Sequence, residues 1–135
     1  MDNERFSDRQ SVEEQKDDLR GSNMNQMDLN DIDLSNANMS NASLYGTQLQ
    51  GANLQNADLR SADMPHTNLK GADLSGADMR DIDLVRADLK KAILTGADLS
   101  NASLYGTRLQ GADLTDVDLS GAYTGTVTHS PHSVD

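Results

Sequence analysis

The chain has 135 residues and a formal net charge of -11 at pH 7, and it contains no cysteine. Disulfides, thiolate metal sites and a membrane-spanning helix are therefore excluded, the last because no run of 18 apolar residues occurs. The acidic balance also argues against direct binding of nucleic acid or an anionic membrane, since a phosphate backbone needs clustered Lys and Arg.

Residues 1–16 are polar and acidic and do not resemble a signal peptide, so we expect a cytoplasmic protein. Ser11 and Glu14 have the spacing of a capping box, which predicts a short helix here. Residues 1–16 include the apolar side chains of Phe6 and Val12, and we expect these to cover the first end of the repeat region that follows. An acidic disordered tail is the alternative for this segment.

Residues 17–126 repeat with a period of five. From Leu19 to Leu119 every fifth residue is Leu or Met, at 21 positions without a break. Ala predominates two positions before this central residue, from Met27 to Ala122. The residue between them is usually Asp or Asn, which gives the consensus A-[D/N]-L-x-x.

A period of five fits neither regular element. On an α-helix, five residues at about 100° each would make the leucines spiral around the axis. On a flat strand, an odd period would place successive leucines on alternate faces. A chain that turns a corner every five residues does bring all of them to one interior. The pattern therefore predicts a solenoid whose coils stack at about 4.8 Å.

The tandem A-[D/N]-L-x-x motif resembles the pentapeptide repeat family. The resemblance implies an all-β fold, the right-handed quadrilateral β-helix, with four pentapeptides per coil and about 5.5 coils in residues 17–126. The sequence also shows an internal duplication, in which 40–54 reads SNASLYGTQLQGANL and 100–114 reads SNASLYGTRLQGADL. The offset between the two copies is by itself compatible with coils of three or four pentapeptides.

With four pentapeptides per coil, one face carries an apolar and aromatic stripe on an otherwise polar surface. An exposed apolar patch with a polar rim is typical of a contact surface. Cross-strand stacking that only stiffens the sheet is the alternative. The candidate partner-binding residues are Tyr45, Pro65, Val85 and Tyr105 in the stripe, Tyr123 on the same face, and His66 and Arg86 beside the stripe.

A second column holds four carboxylates about 5 Å apart, Asp58, Asp78, Asp98 and Asp118. Such a row attracts cations, although Arg60 and Arg80 lie two residues away and are expected to neutralise part of it. Carboxylates in a flat row do not surround a single point, whereas a divalent cation needs several oxygen ligands around it. A solvated acidic face is therefore expected rather than a metal site.

Catalytic and cofactor motifs are missing from the sequence. It has no cysteine nucleophile, no Ser-His-Asp set and no Gly-rich phosphate loop before a helix. His129 and His132 lie in residues 127–135, which lack periodicity and are expected to form a flexible tail without metal. We therefore expect a protein that is not an enzyme and has no cofactor.

Three functions are compatible with a rigid rod of this kind. The first is a protein-interaction module that binds and regulates one protein partner through one face, as the family resemblance implies; such proteins are numerous in cyanobacteria, and one regulates heterocyst development by binding a transcriptional regulator. The second is a DNA mimic, because longer family members bind DNA gyrase or topoisomerase IV and protect against quinolones. The third is a structural repeat protein without a dedicated partner. A monomer or a weak end-to-end dimer is expected.

Charge density argues against the mimic. Residues 17–126 contain 16 Asp and 8 Lys or Arg. The resulting net charge is about one per 3 Å of rod, whereas duplex DNA carries one per ~1.7 Å.

Overall fold

The computed structural model describes residues 8–125. Parallel β-bridges link each repeat to the one four pentapeptides further on, from Asn23 with Ser43 to Ser103 with Tyr123. Four pentapeptides therefore form one coil, which excludes the three-pentapeptide coil that the sequence had left open. Each side of a coil contributes a single bridge residue, so within residues 8–125 the sheets are built from isolated bridges rather than from longer strands.

The coils are held together by backbone hydrogen bonds in a repeating pattern. In the segment 52–56, the N–H groups of Leu54 and Asn56 donate to carbonyls of the following coil, at 2.7 and 2.9 Å. The N–H of Asn53 donates in the other direction, to a carbonyl of the preceding coil at 2.9 Å. Three of the five N–H groups in this repeat are therefore used between coils.

A tight turn makes each corner. The N–H of Ala57 donates to the carbonyl of Leu54 at 3.1 Å, and Asn56, the third residue of this turn, has a φ of 58°. Every fifth residue from Gly21 to Gly121 has a positive φ, with values from 58° to 74°. A positive φ at the third position is the signature of a type II turn, which favours Gly and Asn there.

The fifth N–H of the repeat is satisfied by the side chain that precedes the central residue. The N–H of Gln55 donates to Oδ1 of Asn53 at 3.0 Å, and the N–H of Ser75 donates to Oδ1 of Asp73 at the same distance. These are Asx turns, which need Asp or Asn. Backbone hydrogen bonding thus explains why Asp or Asn recurs at this position of the consensus.

The interior consists of the central residues and the residues two before them. All central residues from Leu19 to Leu109 are buried, and the Ala side chains fill the space between them. Thr47, Thr67 and Thr107 take the place of Ala and donate their hydroxyls to carbonyls of the preceding coil at 2.7–2.9 Å. Among the described residues, Ser22 Oγ is buried without such a partner. The predicted inward positions are confirmed.

A short helix, α1 (Arg9–Glu14), covers the first coil. Val12 is fully buried against the core, as predicted, whereas Phe6 lies outside the described residues. The prediction that Ser11 begins the helix is wrong. Asp8 is the N-cap, and its carboxylate accepts the Ser11 N–H at 2.8 Å. An earlier carboxylate reaches the free N–H groups, so the Ser11 hydroxyl is not needed there.

The inward residues of the last described coil are less buried than those of the coils before it. Leu114, Val117 and Leu119 are only partly buried, in contrast to the equivalent residues of the inner coils. Burial of the inward positions therefore decreases towards the end of the described segment.

We predict that Leu74→Asp unfolds several coils, because it places an unpaired carboxylate in an apolar interior. Leu74→Ala should lower the free energy of unfolding by about 2–5 kcal/mol. Urea denaturation followed by circular dichroism measures both.

The matched control is Asn56→Asp on the same face. Asn56 is exposed, and Asp already occupies the equivalent corner position at Asp31, Asp81 and Asp116. The control should stay within about 0.5 kcal/mol of wild type. A Leu74→Asp protein that melts like the control would contradict the inward position of Leu74.

Candidate functional site

One side of the quadrilateral carries the aromatic residues. We call it the stripe face and define it by segments 22–26, 42–46, 62–66, 82–86, 102–106 and 122–125. The register of the coils stacks these segments directly, for example through the bridges of Ser43 with Asp63 and Asp63 with Asp83. All seven partner-binding residues predicted from the sequence lie on this face.

Tyr45 and His66 form the first aromatic contact of the stripe face. Their ring centroids are 5.4 Å apart, and the rings are tilted by 52°. Tyr45 is nonetheless 45% exposed. Its backbone is fixed by Asn25 of the preceding coil, whose Oδ1 accepts the Tyr45 N–H at 2.8 Å and the Ser43 hydroxyl at 2.7 Å. An exposed aromatic side chain is thereby held on a rigid backbone.

Tyr105 forms the second contact, with Arg86. The guanidinium carbon of Arg86 lies 5.4 Å from the centre of the Tyr105 ring, within the range of a cation–π interaction. Gly106 makes room for this contact, because a Cβ at that position would lie only 3.1 Å from Arg86 Cγ. Tyr105 is half-buried, in contrast to Tyr45.

Tyr123 extends the stripe face into the last described coil and is 61% exposed. Gly125 lies against both tyrosines, since a Cβ there would come within 2.7 Å of Tyr105 Cδ1 and 3.0 Å of the Tyr123 hydroxyl. The two rings and the turn at Gly125 therefore form one aromatic end of the face.

Pro65 and Val85 fill the stripe between the aromatic ends, and both are half-buried. Pro65 has no N–H, so Asp63 receives no Asx hydrogen bond, whereas Asp83 accepts the Val85 N–H at 3.0 Å. Burial, and secondly the Asp83 charge, raises the pKa of Asp63. Asp63 is thus a carboxylate whose charged form the fold disfavours.

The acidic column lies on an adjacent face. Arg60 Nη2 is 2.7 Å from Asp58 Oδ2, and Arg80 Nη2 is 2.6 Å from Asp78 Oδ2. These hydrogen bonds lower the pKa of Asp58 and Asp78. The guanidinium groups thus neutralise this half of the row locally.

In the other half of the acidic column, the carboxylates accept hydrogen bonds from serine residues. Asp98 accepts the N–H of Ser100 at 3.0 Å and also its hydroxyl. Asp118 accepts the N–H of Ser120 at 2.9 Å and its hydroxyl at 2.7 Å, which lowers the pKa of Asp118. Each of these carboxylates therefore accepts hydrogen bonds from the residue two positions later in its own repeat. Across residues 8–125, no group of three acidic or His side chains is close enough together to hold a metal ion.

Ile93 is an exposed apolar residue that was not predicted from the sequence. It is 40% exposed and lies two sides away from the stripe face, in the bridge column of Asp73 and Asp113. Ile93 occupies the position before the central residue, where Asp or Asn is usual, and it is the one aliphatic residue there between residues 18 and 118. That departure from the consensus was the available signal.

The comparisons with known proteins identify the family. A model of pentapeptide repeats matches residues 18–47, 42–81 and 82–121 in 8 copies. The chain therefore belongs to the pentapeptide repeat family, and its fold is the right-handed quadrilateral β-helix. No curated protein matches the sequence. In the described part of the chain, no helix has the length and apolar character needed to cross a membrane.

Three solved structures illustrate the similarity. Rfr23 from the cyanobacterium Cyanothece 51142 is 24% identical, with 90% of this chain and 97% of that chain covered and a TM-score of 0.86. A pentapeptide repeat protein of the Arabidopsis thaliana thylakoid lumen is 32% identical, with coverages of 76% and 68% and a TM-score of 0.65. QnrB1, a plasmid-mediated fluoroquinolone resistance protein, is 18% identical, with coverages of 96% and 74% and a TM-score of 0.63.

Asp73 and Asp63 provide a matched test of the Asx turn. Asp73→Ala should lower the free energy of unfolding by at least about 1 kcal/mol, because the Ser75 N–H and hydroxyl and the Gln55 side-chain amide all lose their acceptor. Asp63→Ala should cause no loss, since Pro65 offers no N–H and the Asp63 charge is disfavoured. Urea denaturation at pH 7 compares the two variants. Equal destabilisation would refute the role assigned to this side chain.

Proposed function

We propose that the protein is a non-enzymatic protein-interaction module that binds a protein partner through the stripe face. The observation that supports this most directly is exposure. Among residues 8–125 three large hydrophobic side chains are exposed, and two of them, Tyr45 and Tyr123, lie on this face. Aromatic side chains that remain accessible on a rigid surface are the usual anchors of protein interfaces.

The backbone beneath the stripe favours binding because it is already ordered. Each coil is joined to its neighbours by hydrogen bonds of 2.6–3.1 Å, and the Tyr45 N–H is additionally fixed by Asn25. A partner that docks here orders little besides side chains, which lowers the entropic cost of association.

The stripe face has an apolar centre and a charged rim. Pro65 and Val85 lie between the aromatic ends, while Asp63 and Arg86 lie beside them. Tyr45 and Tyr105 are three coils apart, which is about 14 Å at the usual strand spacing. A partner of suitable chemistry therefore presents a flat apolar surface of this length with polar groups around it.

Stacking of side chains for stability alone is the competing explanation of the stripe. The contact of Tyr45 with His66 is of the cross-strand kind that stabilises a sheet by about 0.2–1 kcal/mol. Stacking of this kind does not require Tyr45 and Tyr123 to remain about half exposed, whereas partner binding does.

Tyr45→Glu should weaken binding of the purified partner at least about tenfold, because it places a charge at the apolar anchor. The partner is first identified by photocrosslinking from position 45 in the source cell and is then titrated by calorimetry. Circular dichroism should remain that of the wild type, since Tyr45 is exposed.

The control is Ile93→Asp, which removes an exposed apolar side chain from the opposite side and restores the consensus residue. This variant should bind the partner normally. Equal affinity of all three proteins, or crosslinks from position 93 but not from position 45, would exclude the stripe face as the binding surface.

A DNA mimic is the second candidate, supported by the likeness in fold to QnrB1 over 96% of this chain. Arg60 and Arg80 form ion pairs with Asp58 and Asp78 of the acidic column. These ion pairs argue against a mimic, because a mimic needs an anionic surface that is not neutralised. We therefore expect no effect of the protein on gyrase supercoiling, even at large molar excess. Inhibition or protection from a quinolone would favour the mimic over the interaction module.

A further inference from the structure

An open concavity of about 730 Å³ lies at the corner between the stripe face and the next face of the rod. Its walls include Arg86, Lys90 and Arg108, together with Tyr105 and Gln110. We call the three cationic residues the basic corner. Within the described residues no carboxylate lines the concavity, although the chain as a whole has a net charge of -11.

The basic corner differs from the other arginines of the coils in how its charges are compensated. Arg20, Arg60 and Arg80 each bind an Asp two residues earlier at 2.6–2.8 Å. By contrast, within residues 8–125 neither Arg86 nor Arg108 has a carboxylate within 4.0 Å. Their positive charges therefore remain available to a ligand.

Lys90 is the third member of the basic corner and has one weak ion pair. Its Nζ lies 3.8 Å from Asp88 Oδ2. Asp88 is also the bridge partner of Arg108, so one carboxylate stands near two cations. A net positive charge thus remains on this wall.

Position within the repeat explains why the charges are uncompensated. Arg108 occupies the place before the central Leu109, where the consensus has Asp or Asn. Arg86 lies at a corner, with a φ of 59°. Its side chain is therefore at the edge of the stripe face and not above a column of Asp residues. The Tyr105 ring and Gly106 then hold the Arg86 stem and guanidinium in place.

The internal duplication supplies a comparison within the same chain. We call segments 26–54 and 86–114 the first and the second copy; they are 60 residues apart and contain the duplicated segments 40–54 and 100–114. In the first copy, the equivalents of Arg86, Lys90 and Arg108 are Gln26, Asn30 and Gln48, whereas the Tyr, Gly and Gln positions are kept. The backbone pattern of the two copies is the same, and the cations are confined to the second copy. The fold therefore does not require them, and their convergence in one concavity needs another explanation.

We propose that the basic corner binds a small, multiply charged oxyanion of the phosphate class. Arginine presents parallel N–H donors that match phosphoryl oxygens, and lysine adds a point charge. Three clustered cations without a carboxylate in the lining attract an anion. The volume lies in the range of small-molecule sites. Arg86 and Tyr105 line the concavity and also belong to the stripe face, whereas Lys90 and Arg108 lie outside the stripe face. The proposal rests on the three cations together and does not require a protein partner at the stripe.

Titration with inorganic pyrophosphate tests the proposal on the full chain. Backbone amide shifts in nuclear magnetic resonance spectra should change saturably around Tyr105 and Gly106 and leave the first copy, around Tyr45 and Gly46, unchanged. Raising the salt concentration should weaken the binding. Failure to saturate at millimolar pyrophosphate, or equal changes at both copies, would overturn the proposal.

The matched variant replaces the basic corner by the residues of the first copy: Arg86→Gln, Lys90→Asn and Arg108→Gln together. It should fold, because the first copy folds with these residues, and it should lose at least about tenfold in affinity for pyrophosphate. Arg60→Gln with Arg80→Gln removes two cations elsewhere and should bind normally. Equal affinity of the triple variant and wild type would show that the basic corner is not the site.

Discussion

The corner at every fifth residue is the constraint on which the rest of the structure depends. In segment 52–56 a positive φ at Asn56 turns the chain, and the side chain of Asn53 accepts the one N–H that faces outward, that of Gln55. The other four N–H groups bond within a turn or to the adjacent coils. Because buried backbone groups must be paired, this complete pairing is what lets so small an interior of Leu and Ala support the fold.

Since the corner uses only the backbone, the preceding Asp or Asn and two inward side chains, the outer positions are free to vary. Each outer position stacks on the same position of the next coil, so a few substitutions build a continuous surface. The stripe face, the acidic column and the basic corner are three such surfaces on one rod. Their chemistry differs while the coil beneath them is the same.

The corner residue itself links two of these surfaces. His66 and Arg86 adopt φ values of 60° and 59°, in the left-handed region where L residues other than Asn and Asp are disfavoured. The hydrogen-bonded coils on both sides hold them there. Because the corner projects between two faces, the same Arg86 contacts Tyr105 of the stripe and lines the concavity of the basic corner.

The period of five, read from Leu19 to Leu119, determined the inward positions and the solenoid, because only a regularly turning chain can bury side chains at that interval. Resemblance to the family supplied the four-sided coil. The tertiary structure decided the register of the coils, the N-cap at Asp8, the exposure of Ile93 and the position of Arg86 and Arg108 in the lining of one concavity. A sequence orders these residues along one dimension, whereas their contacts arise from stacking across coils.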